Sequence, residues 1–532
     1  MSQPTAALPQ RFNFARHILE LNAGRAEKIA YIDDGGSMTY GDLEQRVRRF
    51  AAGILASGIR REERILLIMH DTTDMPVVFL GALYAGVIPV PVNTLLPADD
   101  YAYMMEHSGA KAVVFSRPLQ SCVEEALHKA NMANMTDMRP QLIVAGGGEA
   151  NIPNSGMRPL EDLLAAEPLP VSACANTAAD DFAFWLYSSG STGRPKGTVH
   201  SHGNLFWTAE LYGKPILGIR ENDVVFSAAK LFFAYGLGNG LTFPLSVGAT
   251  VVLMAERPTP PAVFKRLVDH KPTIFYGVPT LYVAMLASDA LPKKEDVALR
   301  VCTSAGEALP REVGEKFKRH FGCDILDGLG STEMLHIFIS NRAGSVRYGT
   351  SGQPVPGYDV ELRDEGGQRV APGEIGDLYI RGPSSALFYW CNREKSRSTF
   401  IGEWLRSGDK YVVDMDGYYC YSGRSDDMLK VSGQYVSPIE IENVLIEHPA
   451  VLECAVVGKI DAEGLTKTSA YVVLSRGQAE TPALAEELKG FVKGKLAPHK
   501  YPRDILFVTE LPKTATGKIQ RFKLRALQEM HA

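Results

Sequence analysis

The strongest constraint on this chain is the alternation of short apolar runs with apolar positions at helical spacing. Leu43, Val47, Phe50 and Ile54 recur at helical spacing, Gly58 ends that run, and ILLIM at residues 65–69 reads as a strand. The pattern continues through AVVF (112–115), QLIVA (141–145), ATVVLM (249–254) and TIFYGV (273–278), with no internal repeat of fixed period. β-Branched strands separated by helical stretches specify an α/β chain whose largely parallel sheets are covered by helices on both faces.

At 532 residues the chain exceeds what a single core serves, so two domains are the minimum. Between about residues 346 and 421 the texture changes to short strands and frequent turns, which predicts a small β-rich subdomain. GRSDDMLKVSGQYVSP (423–438) is rich in residues that tolerate unusual backbone angles and reads as a linker. Ser437-Pro438-Ile439-Glu440 then reads as a capping box with proline at the first helical position. The boundary is therefore set between residues 1–425 and 426–532.

The formal net charge is only -5 and no long block of like charge occurs, which argues against nucleic-acid or membrane partners and favours small-molecule chemistry. The seven cysteines are scattered and never form CxxC, as expected of reduced thiols. The start, MSQPTAALPQRF, has neither the basic beginning nor the apolar core of a secretory signal, so a cytoplasmic protein is expected. The uncharged run at residues 75–96 is interrupted by glycines and prolines and falls short of the ~20 apolar helical residues that span a bilayer. It reads as a buried helix followed by a buried strand.

Chemistry concentrates in FAFWLYSSGSTGRPKGTVHSHGNL, where an apolar strand (182–187) runs into Ser188, Ser189, Gly190, Ser191, Thr192, Gly193 and Lys196. Glycines let backbone N–H groups converge on an anion, hydroxyls donate further hydrogen bonds and the lysine adds positive charge, so this loop can hold phosphate. It is not a Walker A loop, because Pro195 stands where the second glycine would be. GLGNG (236–240) fails the dinucleotide spacing at Leu241 and reads as close helix packing beside a pocket. His200 and His202 have no third metal ligand nearby in sequence, so a strand end followed by a helix start is expected there. Glu333 beside Ser331 and Thr332 suits Mg²⁺ and phosphate oxygens, or equally a helix N-cap.

The phosphate-type loop resembles the signature of the AMP-forming acyl-CoA synthetase superfamily, and the likeness extends over almost the whole chain. TSAGEALP (303–310) is similar to the adenine-side segment, DGLGSTE (327–333) to the second nucleotide motif and RSGD (406–409) to the ribose motif. GRSDDMLKVSG is similar to the hinge and PKTATGKIQR (512–521) to the C-terminal lysine motif. The resemblance implies a large N-terminal domain of two helix-covered sheets plus a small β-barrel, and a smaller mobile α+β C-terminal domain. It implies ATP, Mg²⁺ and coenzyme A as cofactors and co-substrates. Nucleotide contacts fall on Ser188, Ser189, Gly190, Ser191, Thr192, Gly193, Lys196, Ala305, Gly306, Glu307, Asp327, Gly328, Thr332, Asp409 and Arg424. Lys518, Thr192 and Glu333 are the implied catalytic residues, with Glu333 also the metal ligand. Asp426 is the implied hinge, and Lys430, Ser432 and Gly433 form the implied coenzyme A side.

For the acyl group, the resemblance points to Phe233, Ala234, Tyr235, Gly236, Ala305, Gly330, His336 and Ile337. Phe233, Ala234 and Tyr235 offer flat apolar walls with one hydroxyl, which suits an aromatic ring. No aspartate stands in KLFFAYGLGNGLTFPL (230–245) to meet a substrate amine, so an amino acid is disfavoured. FFAYGLGN together with DGLGSTEMLHIF is similar to benzoate-CoA ligases and their hydroxybenzoate relatives, which implies a benzoate-type carboxylate and a place in aromatic compound catabolism. Phe233 and Leu329 depart from the histidine and tyrosine of many members. A short aliphatic acid, a carrier-protein acceptor, a catalytically silent nucleotide sensor and a homodimer all stay open.

Overall fold

The structure is a computed structural model that describes residues 8–130, 139–146, 156–190, 193–424, 428–431, 434–460, 466–497, 500–513, 519–521 and 523–525. Two large sheets carry the fold. In the nine-stranded sheet, Ile325–Gly330, Val301–Ser304, Ile274–Gly277, Val224–Ser227, Thr250–Val252 and Ile29–Asp33 lie side by side and parallel. Antiparallel strands flank this block on both edges. The five-stranded sheet, in the order Ile88–Pro91, Arg64–Ile68, Ala112–Ser116, Gln141–Ala145, Met157–Pro159, is parallel throughout.

The helical spacing of Leu43, Val47, Phe50 and Ile54 is the inward face of the helix Tyr40–Ala56, and all four are fully buried. Gly58 takes a φ of 85° just beyond that helix, a left-handed angle glycine adopts without a Cβ penalty. Residues 75–96 supply the helix Asp74–Ala85, buried from Met75 onward, and the buried strand Ile88–Pro91. Among the described residues, no helix is long and apolar enough to cross a membrane.

The expected phosphate loop is more strand-like than its composition suggested. Phe182–Gly190 and Gly193–Ser201 form an antiparallel hairpin with Ser188 opposite Lys196, and Phe388–Tyr389 adds a third strand. Among the described residues, Ser188 pairs with Lys196 and Gly190 with Gly193, so the ladder reaches into the segment expected to be loop. The β-rich stretch is an antiparallel sheet in which Trp404–Val413 pairs with Ile375–Arg381, Phe400–Ile401 and Tyr419–Arg424.

The C-terminal part has its own core, built from Ile441, Leu445, Val456, Val472, Leu488 and Val492 among others. Ser437 caps the helix Pro438–Ile446 by accepting from the Glu440 N–H, with Pro438 at the first position as the sequence indicated. The reciprocal half of the capping box is replaced: Glu440 pairs with Lys500 at 2.7 Å.

Candidate active site

Three neighbouring parallel strands, Ile274–Gly277, Val301–Ser304 and Ile325–Gly330, deliver their carboxyl ends to one cleft of about 1220 Å³. Backbone leaving a parallel sheet at this end is free of the ladder, which makes it the usual place for a ligand site. Thr280, Gly306, Glu307, Gly328, Gly330 and Thr332 line the cleft from these ends, and Ser188 and Lys196 reach it from the hairpin. The β-rich sheet contributes Asp409 and Arg424, which face each other across two strands and bond at 3.1 Å. Residues that sequence spacing scattered over more than two hundred positions thus share one cavity.

At the centre stands Glu333. Its Oε1 accepts from the Tyr389 hydroxyl at 2.8 Å and from the Ser188 hydroxyl at 3.3 Å. The ammonium of Lys196 lies over the Tyr389 ring, 4.7 Å from its centroid. Burial lowers the Lys196 pKa, with Glu333 acting in the opposite direction. Glu333 is therefore a cleft carboxylate and not a helix cap. One carboxylate beside hydroxyls is the donor set on which Mg²⁺ relies when substrate phosphates complete its shell, so these residues fit that ion.

Asp327 sits just beneath the cleft floor, where burial pushes its carboxyl up to about 8 while the Leu309 N–H donates to it. Ala305 is buried beside it in the core. Of the residues expected around the acyl group, Gly330 lines the cleft directly. Tyr235, His336 and Ile337 pack behind that wall: Ile337 pairs with Gly330, and the Tyr235 and His336 rings stand 5.5 Å apart. The Tyr235 hydroxyl bonds to Thr303 at 2.5 Å, and the His336 ring contacts Tyr212 and Phe243 as well. Phe233 precedes the helix Ala234–Leu237 as its N-cap. A Cβ on Gly236 would lie 2.0 Å from the Lys230 carbonyl oxygen, so only glycine permits this turn.

The HxH pair is structural, as expected. His200 closes the strand and bonds through Nε2 to the Thr332 carbonyl at 2.8 Å, which braces the segment that carries Glu333. His202 opens the helix His202–Thr208, and its Nδ1 accepts from the Phe14 N–H at 3.2 Å. Burial pushes both imidazoles down to about 4. Among the described residues, no group of three or more His, Cys, Asp or Glu side chains could hold a metal ion by themselves.

From the C-terminal part, Ile439, Glu442, Lys513, Ile519 and Arg521 line the same cleft. Lys513, Ile519 and Arg521 belong to the expected lysine motif on either side of its undescribed stretch, and Arg521 is held by Glu442 at 2.8 Å. Ser191, Thr192, Asp426, Ser432, Gly433 and Lys518 lie outside the described residues, as do the side chains of Ser189 and Lys430. Sequence reasoning missed Tyr389. FYW at 388–390 looks like core on composition, and only its pairing with the hairpin brings the hydroxyl to Glu333.

Residues 19–390 match the family described as AMP-binding enzyme, and residues 440–518 match the AMP-binding enzyme C-terminal domain. The chain belongs to the AMP-binding enzyme family. The first match takes in Ser188, Lys196 and Glu333 and ends at Trp390, and the second begins at Glu440 in the first turn of a cleft-lining helix, while Asp409 and Arg424 lie between the two. Within the family, the chain is 56% identical over 527 residues to the benzoate–CoA ligase of Thauera aromatica, which covers 98% of this chain and 97% of that protein. It is 47% identical to the 4-hydroxybenzoate–CoA/benzoate–CoA ligase of Rhodopseudomonas palustris, over 97% of this chain and 94% of that one. The crystal structures of a benzoate CoA ligase from Burkholderia xenovorans LB400 superpose with a TM-score of 0.89 at 64% identity, covering 97% of this chain and 100% of that chain.

Proposed function

We propose that this chain activates a benzoate-type carboxylate with MgATP, releasing pyrophosphate, and passes the acyl group from acyl-AMP to the thiol of coenzyme A. The observation that carries this reading is the meeting of Ser188, Lys196, Thr332, Glu333, Asp409 and Arg424 around one cleft in a chain so close to benzoate–CoA ligases. In the first step a carboxylate oxygen attacks the α-phosphorus and the bond to pyrophosphate breaks. In the second, the thiol sulfur attacks the acyl carbonyl, the bond to the AMP oxygen breaks and AMP leaves. Activation is needed because a thiol cannot displace a bare carboxylate oxygen.

Ser188, Ser189, Gly190, Ser191, Thr192, Gly193 and Lys196 hold the phosphates, and Asp409 accepts from both ribose hydroxyls beside Arg424. The adenine edge belongs to Ala305, Gly306, Glu307, Asp327 and Gly328, with Thr332 beside the phosphates. Glu333 would hold Mg²⁺, which when bound would supply positive charge to the triphosphate. Tyr235, His336 and Ile337, packed behind the cleft wall at Gly330, back the side of the site that would take the ring. Lys518 offsets the charge that builds between two anions, and residues 426–532 turn about Asp426 to bring Lys430, Ser432 and Gly433 toward the thiol.

A panel of carboxylic acids, scored by AMP formation with ATP and free coenzyme A, tests the assignment. Benzoate and small ring-substituted benzoates are expected to exceed acetate and free amino acids by at least about a hundredfold in kcat/KM. A short aliphatic acid that outruns benzoate would overturn the acyl assignment, and AMP formation that needs a carrier protein would overturn the acceptor.

A further inference from the structure

The Glu333 cluster holds more order than one metal carboxylate needs. Tyr389 is only 3% exposed, and its strand is paired to the hairpin with Tyr389 opposite Thr198. The segment before it is tied to the same acid: the Ala386 N–H donates to the Glu333 carbonyl at 2.7 Å, and the Ser384 hydroxyl donates to the Met334 carbonyl at 2.8 Å. Oε1 of Glu333 accepts both side-chain hydrogen bonds described above, and among the described residues Oε2 accepts none. The same tyrosine touches both charges, its hydroxyl on the acid and its ring face under the Lys196 ammonium, and among the described residues Lys196 and Glu333 make no salt bridge with each other. Left unspaced in a half-buried site, a lysine and a glutamate would pair and cancel.

We propose that Tyr389 is a positioning residue: its hydroxyl fixes Glu333 with one oxygen turned to the metal, and its ring keeps Lys196 apart so that acid and ammonium stay available to metal and phosphate. The role rests on the metal reading of Glu333 given above. Outer partners of this kind orient a ligating carboxylate, and their loss typically weakens metal binding by about tenfold or more.

Three variants separate the parts: Tyr389→Phe removes the hydroxyl and keeps the ring, Tyr389→Leu removes both, and Glu333→Gln removes the charge. Calorimetric titration with ATP plus Mg²⁺, and with ATP plus EDTA, is read beside the Mg²⁺ dependence of benzoate-driven pyrophosphate release. Tyr389→Phe is expected to raise the half-saturating Mg²⁺ and to weaken MgATP binding about tenfold, with metal-free ATP binding and the benzoate KM within about twofold of the parent. Tyr389→Leu is expected to weaken metal-free ATP binding as well, because Lys196 then pairs with Glu333. An unchanged Mg²⁺ dependence in Tyr389→Phe, with a shifted one in Glu333→Gln, overturns the positioning role alone. An unchanged dependence in Glu333→Gln overturns the metal reading and the positioning role together.

Discussion

Buried imidazoles mark how this site couples to pH. His200 and His202 are held near about 4 and His336 near about 3 by burial, against an ordinary value near 6.5. Their folded pKa values are depressed, so the unfolded chain binds more protons below pH ~6.5, and the stability that neutral histidine contributes is lost as pH falls from there toward ~4. Asp71 and Asp327, raised to about 6 and about 8, act with the opposite sign, so the histidine part is read as a difference between two proteins. His202→Gln is expected to show a shallower fall in thermal midpoint between pH 6.5 and 4 than the parent does. Parallel curves would show that His202 does not carry the effect. At this scale the sequence pointed to Glu333, Lys196 and Asp409 through their neighbours in short motifs, and all three line the cleft. It hid Tyr389, because a hydroxyl aimed at a partner 56 positions away leaves no local trace.

Elements were more legible than their ends. The strands Arg64–Ile68, Ala112–Ser116 and Gln141–Ala145 match their β-branched runs closely, since burial on both faces demands such residues. The hairpin strands run on to Gly190 and resume at Gly193, because ladder pairing claims backbone that glycine and serine content assigned to a loop. The helix Pro438–Ile446 shows a similar override: Lys500, from a distant segment, takes the Glu440 carboxylate that would have completed its capping box. The Ser437 cap is thus the remaining side-chain tie at that N-terminus. Ser437→Ala is expected to cost about 1 kcal/mol there, read as roughly fivefold faster amide exchange over residues 438–446 with the nine-stranded sheet unchanged. Equal exchange in both proteins would remove the cap from the account of this helix.

On the scale of the whole molecule, two cores meet across one cleft. The N-terminal part supplies the sheet ends, the hairpin and Glu333, while the C-terminal part closes over them with Glu442, Lys513, Ile519 and Arg521. Order of motifs announced both parts in the sequence, whereas their meeting depends on pairings between segments hundreds of residues apart. The central claim is that the cleft makes an acyl-adenylate before any thiol is involved. Exchange of labelled pyrophosphate into ATP, measured with Mg²⁺ and without coenzyme A, reads that step alone. Exchange is expected to depend on benzoate and to fall by at least about a hundredfold in Lys518→Ala. Exchange that appears only when coenzyme A is added, or that proceeds without any carboxylate, would contradict it.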